Sequence, residues 1–219
     1  NMQAGEKRPA IVYFFGGGWK LGTPIQFYRE CAYYASKGMV AVSVDYRIGY
    51  LHHSTPFESF EDAKDAICWL RSHASDYQLD PDKIAVAGGS AGGHLAAALG
   101  TIGSDETVPA GYRPNLSVLY YPVIDMVSRG YGFPEIKRDF EKISPIHHVS
   151  EATPSTLILL GTKDPIVSVE TIEAYQDKLL QKGVDCELHL FEGAGHPIFL
   201  YRKPLTEEYY KVRKLTDDF

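Results

Sequence analysis

The chemistry of this chain is most legible at Gly88-Gly89-Ser90-Ala91-Gly92. The segment follows one apolar run, Ile84–Ala87, and opens another, Ala91–Thr101 (AGGHLAAALGT). A serine between glycines at a strand-to-helix turn is the setting of a nucleophile elbow: the glycines let strand and helix approach closely, and the hydroxyl projects over a helix amino terminus. A serine hydroxyl is a weak nucleophile without a base. Of eight histidines, His196 is the best placed, in Gly193-Ala194-Gly195-His196 at the end of the last apolar run. His94, one turn into the nucleophile helix, reads as packing. His189 falls on the polar face of a strand, and the pairs His52/His53 and His147/His148 read as loop or rim residues.

An imidazole acting as base needs a carboxylate to hold its tautomer. Asp164, in the tight turn Gly161-Thr162-Lys163-Asp164-Pro165, is the preferred partner; Asp125, at the end of the preceding apolar run, is its rival. A fourth element is Gly16-Gly17-Gly18-Trp19. Backbone N–H groups without side chains to screen them can face a substrate oxygen, and those of Gly17, Gly18 and Ala91 are expected to form an oxyanion hole. A phosphate cradle would require Gly-Lys-Ser/Thr or a G-x-G-x-x-G opening a helix, and the sequence has neither.

These residues sit at the ends of short apolar runs: Ala10–Phe15, Val40–Val44, Ile84–Ala87, Leu116–Tyr121 and Leu157–Leu160. Runs of this kind, bounded by Gly, Pro or Asp, read as strands buried on both faces of a parallel sheet. In Cys186–Phe191 the apolar residues Cys186, Leu188 and Leu190 alternate with Glu187 and His189, as in a strand at a wetter edge. Between the strands lie helices. Thr55-Pro56-Phe57-Glu58 has the form of a capping box, with Phe60, Ala63, Ile67 and Leu70 as the apolar stripe that follows. Ser168 caps another, with Ile172, Tyr175 and Leu179 as its stripe and Gly183 as its stop. The alternation predicts one α/β domain over residues 1–219, a mostly parallel, doubly wound sheet with helices on both faces. A short cap-like insertion is expected at about 127–144.

Composition excludes other classes. The 219 residues carry a net charge of −6, 44% hydrophobic and 23% charged residues, so neither disorder nor the basic excess of a nucleic-acid binder is present. No apolar run approaches the roughly 18 residues of a membrane span. Three cysteines make neither a disulfide framework nor a zinc site, and Cys68 and Cys186 read as buried thiols. The reading needs no metal and no organic cofactor. Asn115-Leu116-Ser117 matches a glycosylation sequon but enters a predicted buried strand. The chain starts at Asn1 with a polar stretch rather than a signal sequence, and secreted, periplasmic and cytoplasmic locations all stay open.

With these residues assembled, the chain resembles the α/β-hydrolase superfamily, particularly the acetyl-esterase and hormone-sensitive-lipase-like group and its bacterial carbohydrate-esterase branch. The likeness rests on FGGGW (Phe15–Trp19), VDYR (Val44–Arg47), DPDKIAVAGGSAGGHLAA (Asp80–Ala97), YPVID, SPIHHV (Ser144–Val149), LLGTKDPIV and FEGAGH. The order Ser…Asp…His along the chain is also that of the superfamily, and both Asp164 and Asp125 satisfy it; the tight Gly-to-Pro turn is what favours Asp164. The resemblance implies a triad of Ser90, Asp164 and His196, with the glycines after Phe15 at the oxyanion positions. It implies hydrolysis of short acyl esters, acetyl esters of carbohydrates foremost; an amidase, peptidase or lipase on the same triad, or a non-catalytic relative that only binds, are the alternatives. Trp19, Tyr46, Tyr50, Tyr131 and Phe133 are candidates to stack on sugar rings near the mouth. Two features depart from the group. Phe15 stands where a histidine usually helps hold the oxyanion loop, and the usual leading antiparallel strands are not evident: either they lie outside this sequence, or the sheet begins late and exposes an edge that a second copy of the chain could cover.

Overall fold

A computed structural model of the chain describes residues 7–103, 111–126, 136, 139–200 and 205–219. Its strands are β1 (Arg8–Phe14), β2 (Val40–Val44), β3 (Leu79–Gly89), β4 (Leu116–Tyr120), β5 (Ser155–Gly161) and β6 (Cys186–Phe191). They form one sheet in the order β2-β1-β3-β4-β5-β6, and every neighbouring pair is parallel. This is the α/β-hydrolase fold with its parallel strands side by side.

The intervening helices are α1 (Tyr28–Ser36), the single turn α2 (Gly49–His52), α3 (Pro56–Ser72), α4 (Ala91–Thr101), α5 (Val169–Gln181) and α6 (Glu207–Asp218). Their caps follow the sequence. Thr55 accepts from Phe57 N while Glu58 receives Thr55 N, closing the box that starts α3. Phe60, Ala63, Ile67 and Leu70 are buried along that helix, as expected. Ser168 accepts from Thr171 N, and Ile172, Tyr175 and Leu179 form the buried stripe of α5. Past its end Gly183 takes φ +73°, which stops the helix. Every residue of α4 is buried, so this helix runs through the core, directly behind the strand ends.

Several expectations are corrected. Cys68 is exposed, not buried: it follows the inward Ile67 by one residue, which on a helix turns it to the outer face. Leu190 breaks the alternation of β6 and stands 38% exposed, with Phe191 buried instead; among the described residues β6 is an edge strand with a neighbour on one side only. β4 ends one residue early because Tyr121 turns out of it at φ +39°. Most of the expected insertion at 127–144 lies outside the described residues. Its described end is a 3-10 turn, Phe140–Ile143, anchored by Ser144, whose hydroxyl accepts from Met126 N and donates to the Phe140 carbonyl. The Asn115 side chain is already engaged, accepting from Ile84 N at 2.9 Å.

Candidate active site

The sharp turn after β3 places Ser90 at φ 55° and ψ −120°, a conformation that non-glycine residues rarely adopt. Ser90 N donates to the Tyr120 carbonyl, and the Ser90 carbonyl accepts from His94 N, so the strained residue is held from β4 and by its own helix. The flanking glycines are dictated by contact. A Cβ on Gly92 would lie 2.0 Å from the Phe14 carbonyl oxygen, and one on Gly88 would lie 2.3 Å from the Gly92 carbonyl oxygen. Only glycine lets β1, β3 and α4 converge here.

His196 reaches this serine from the loop after β6. Its Nε2 lies 2.9 Å from Ser90 Oγ, and its Nδ1 lies 2.7 Å from Asp164 Oδ2. An ionised carboxylate only accepts, so Nδ1 carries the proton and Nε2 is left to accept from the serine hydroxyl. The Asp164 side chain is fully shielded from solvent. Its other oxygen accepts from Ile166 N and Val167 N at 2.8 and 3.0 Å. Burial by itself would raise the carboxyl pKa; the hydrogen bonds from His196, Val167 and Ile166 outweigh it and hold the group below its ordinary value. The two loops are tied together. Lys163 N donates to the Ala194 carbonyl and Gly193 N to the Thr162 hydroxyl. Asp164, not Asp125, thus receives the imidazole.

The oxyanion-loop candidates Gly17 and Gly18 line the same cavity as Ser90 and His196, of about 270 Å³, which also touches Tyr121 and Ile166. The loop turns back on itself through Lys20 N and Leu21 N, both donating to the Gly17 carbonyl, and Gly16 N donates to Gln26 Oε1. Gly17 takes φ 141°, and a Cβ there would sit 2.0 Å from the Leu21 carbonyl oxygen. Ala91 is the first residue of α4, where a backbone N–H has no acceptor within its own helix.

The departure at Phe15 has a structural answer. Its ring stacks on Tyr46 at 4.1 Å between centroids, and Tyr46 Oη donates to the Phe15 carbonyl at 2.6 Å. Trp19 and Tyr46, proposed from sequence as sugar platforms, are 2% and 1% exposed and belong to this support, not to the mouth. Tyr50 is 76% exposed beside the loop, its N–H donating to the Lys20 carbonyl. Tyr131 and Phe133 lie outside the described residues. His94 is fully buried, as read from sequence. His189 pairs with Glu187 on β6, and His52 bonds to backbone at Ile48. Sequence reasoning missed Gln26 and Tyr121. Tyr121 carried a signal, since it closes the apolar run Leu116–Tyr121 at the carboxyl end of a strand; its ring meets His196 edge-on at 4.8 Å. Gln26 carried none.

The chain is similar to known proteins over most of its length. The BD-FAE family matches residues 1–132. Esterase LipC of Mycobacterium tuberculosis is 30% identical over 86% of this chain and 52% of its own length. An acetylxylan esterase of Xylanibacter ruminicola is 26% identical over 85% of this chain and 40% of its own. This chain therefore spans about half the length of such relatives. Among solved structures, the propionate-bound esterase Est2 of Thermogutta terrifontis superposes with a TM-score of 0.89 at 36% identity, covering 100% of this chain and 85% of that one.

Proposed function

The chain belongs to the BD-FAE family, and from that premise we propose that it is a serine carboxylic-ester hydrolase acting on short acyl esters, with acetylated carbohydrates as the substrate class. The observation that carries the reading is the unbroken hydrogen-bonded line from Asp164 through His196 to Ser90.

In the reaction, Ser90 Oγ attacks the acyl carbon as His196 Nε2 takes its proton. The carbonyl oxygen becomes an anion that the N–H groups of Gly17, Gly18 and Ala91 receive; each such donor contributes roughly 3–4 kcal/mol in hydrolases of this type. His196 then gives the proton to the departing alcohol, which leaves an acyl-serine. Water, activated by the same imidazole, attacks the acyl carbon, and the acid is released. Asp164 stabilises the imidazolium throughout.

Two features support a small acyl group. The cavity beside Ser90 is about 270 Å³, at the lower limit of ligand sites. The similar Est2 structure has propionate bound. The carbohydrate alcohol is supported by the likeness to an acetylxylan esterase.

The test is direct. Ser90→Ala should cut kcat on nitrophenyl acetate on the order of a millionfold with an unchanged melting temperature, and a fluorophosphonate should label Ser90 stoichiometrically in the parent protein. Residual turnover within tenfold of the parent would move the nucleophile elsewhere. A panel of acetylated xylosides, aryl acetates and aminoacyl anilides then separates sugar esterase, general esterase and amidase.

A further inference from the structure

One fully buried polar side chain near the site has no part in the reaction just described. His94 is 0% exposed within α4, whose other residues are Ala, Gly, Leu and Thr. A buried imidazole is costly unless both ring nitrogens are satisfied, and an apolar side chain would fill the same volume at no such cost. Both nitrogens of His94 are satisfied, and by two different segments. Trp19 Nε1 donates to Nδ1 at 3.3 Å, and Nε2 lies 2.7 Å from the Ile143 carbonyl oxygen. The two rings meet edge-on, 5.0 Å between centroids and 87° between planes. Because the indole can only donate and the carbonyl can only accept, the ring is the neutral tautomer protonated on Nε2. Burial pushes its pKa down to about 4, which keeps it neutral.

What lies at each end gives the arrangement its meaning. Trp19 directly follows Gly17 and Gly18 and is itself held at φ +57°, a conformation a tryptophan does not adopt unaided. Its carbonyl accepts from Gly49 N at 2.8 Å, so the residue is clamped by its backbone on one side and its indole on the other. His94 N, for its part, donates to the Ser90 carbonyl. The imidazole therefore ties the glycine loop to the same helical turn that carries the serine.

We propose that His94 is a positioning residue, fixing the Trp19 indole and through it the Gly17 and Gly18 amides at a set distance from Ser90. That those amides receive an ester oxyanion rests on the function proposed above; that His94 fixes the loop does not. Misplacing such donors by about 1 Å costs on the order of a hundredfold in rate.

Two replacements divide the two bonds. An asparagine oxygen at position 94 occupies roughly the place of Nδ1 and keeps the acceptor for Trp19; a glutamine amide reaches the place of Nε2 and keeps the donor to Ile143. His94→Asn should hold kcat on nitrophenyl acetate within about threefold. His94→Gln and Trp19→Phe should each lower kcat about 10- to 100-fold with KM little changed, and the double variant should be no worse than either alone. Amide hydrogen exchange at Gly17 and Gly18 should quicken in His94→Gln and Trp19→Phe, and stay at the parent rate in His94→Asn. Equal losses in folded Asn and Gln variants, or full kcat and parent exchange rates in Trp19→Phe, would overturn the proposal. Should the parent hydrolyse no ester at all, the esterase reading fails while the exchange rates still judge His94: quickening supports it, and no change rejects it.

Discussion

The two halves of the site are built on different principles. The half carrying Ser90 and the glycine loop, from β1, β3 and α4, is fixed first by backbone lying on backbone, with side-chain supports behind the loop: Cβ atoms on Gly88, Gly92 and Gly17 would all come within 2.3 Å of a carbonyl oxygen. The half carrying Asp164 and His196, from the loops after β5 and β6, is fixed mainly by hydrogen bonds from loop amides and side chains. It has one close approach, at Gly161, whose Cβ would lie 2.3 Å from the Ala194 carbonyl oxygen, while Gly193 and Gly195 face open space. On the proposed mechanism, Ser90 and the loop amides need a geometry set once by folding, whereas His196 must keep enough freedom to move a proton between serine and leaving group.

Among changes to how the two halves are held, the largest effect should come from removing the bond between Asp164 and the imidazole. Asp164→Asn leaves the backbone turn intact but offers His196 Nδ1 an amide, which no longer enforces the tautomer that accepts from Ser90. A loss of kcat of about ten-thousandfold is expected, with the melting temperature close to the parent's. Steady-state kinetics with a soluble acetyl ester checks it; a loss below tenfold would mean that the loop alone orients the ring.

A matched pair of glycine substitutions addresses the contrast itself. Gly92→Ala forces a Cβ to 2.0 Å from the Phe14 carbonyl oxygen, between backbone segments that cannot swing aside, and should destabilise by about 3 kcal/mol or more. Gly195→Ala, beside the His196 imidazole but with nothing within 4 Å of its Cβ, should stay within about 0.5 kcal/mol. Denaturant unfolding of both decides. Equal losses would erase the distinction between the halves.

Acid should weaken both halves, the His94 side at higher pH than the Asp164 side. His94 titrates near 4 in the folded chain against 6.5 ordinarily. Between those values the unfolded chain binds a proton that the folded chain refuses. Its contribution to stability is therefore complete above pH 6.5 and lost as pH falls through 4, a change of about 3 kcal/mol. Asp164 behaves in the same sense, its contribution being present above the ordinary carboxylate range and lost as pH falls through its lowered value. Unfolding midpoints at pH 7 and pH 4.5 should accordingly separate more for the parent than for His94→Asn. Identical pH slopes would place the acid sensitivity elsewhere.

What the sequence made legible follows the same division. That Ser90, Asp164 and His196 would meet could be expected because each stands just beyond a strand, and parallel strands bring their carboxyl ends to one rim whatever fills the interior. The caps of α3 and α5 were equally readable, since the residues involved lie within three positions of one another. What escaped notice depends on pairs far apart in the chain. Trp19 with His94, Phe15 with Tyr46 and Gly16 with Gln26 are contacts of tertiary packing that no local spacing encodes. For that reason Trp19 and Tyr46 read as mouth aromatics when they are buried supports, and Leu190 read as an inward residue on a strand whose edge position the alternation alone could suggest but not complete.

The Phe15–Tyr46 pair gives the smallest effect and the finest test of how the glycine loop is held. A histidine at position 15 would anchor the loop by a side-chain hydrogen bond. Here the anchor is a stacked ring, together with the Tyr46 hydroxyl that donates to the Phe15 carbonyl at the very start of the loop. Tyr46→Phe keeps the ring and its stacking while leaving that buried carbonyl without the donor, a loss of about 1 kcal/mol. If the stack provides most of the anchoring, kcat should fall no more than about threefold, because the Trp19–His94 bond and the Gly16–Gln26 bond still fix the amides on either side. A Tyr46→Phe protein that keeps its stability but loses kcat by a hundredfold would reverse that ranking and make the hydroxyl the loop's principal anchor.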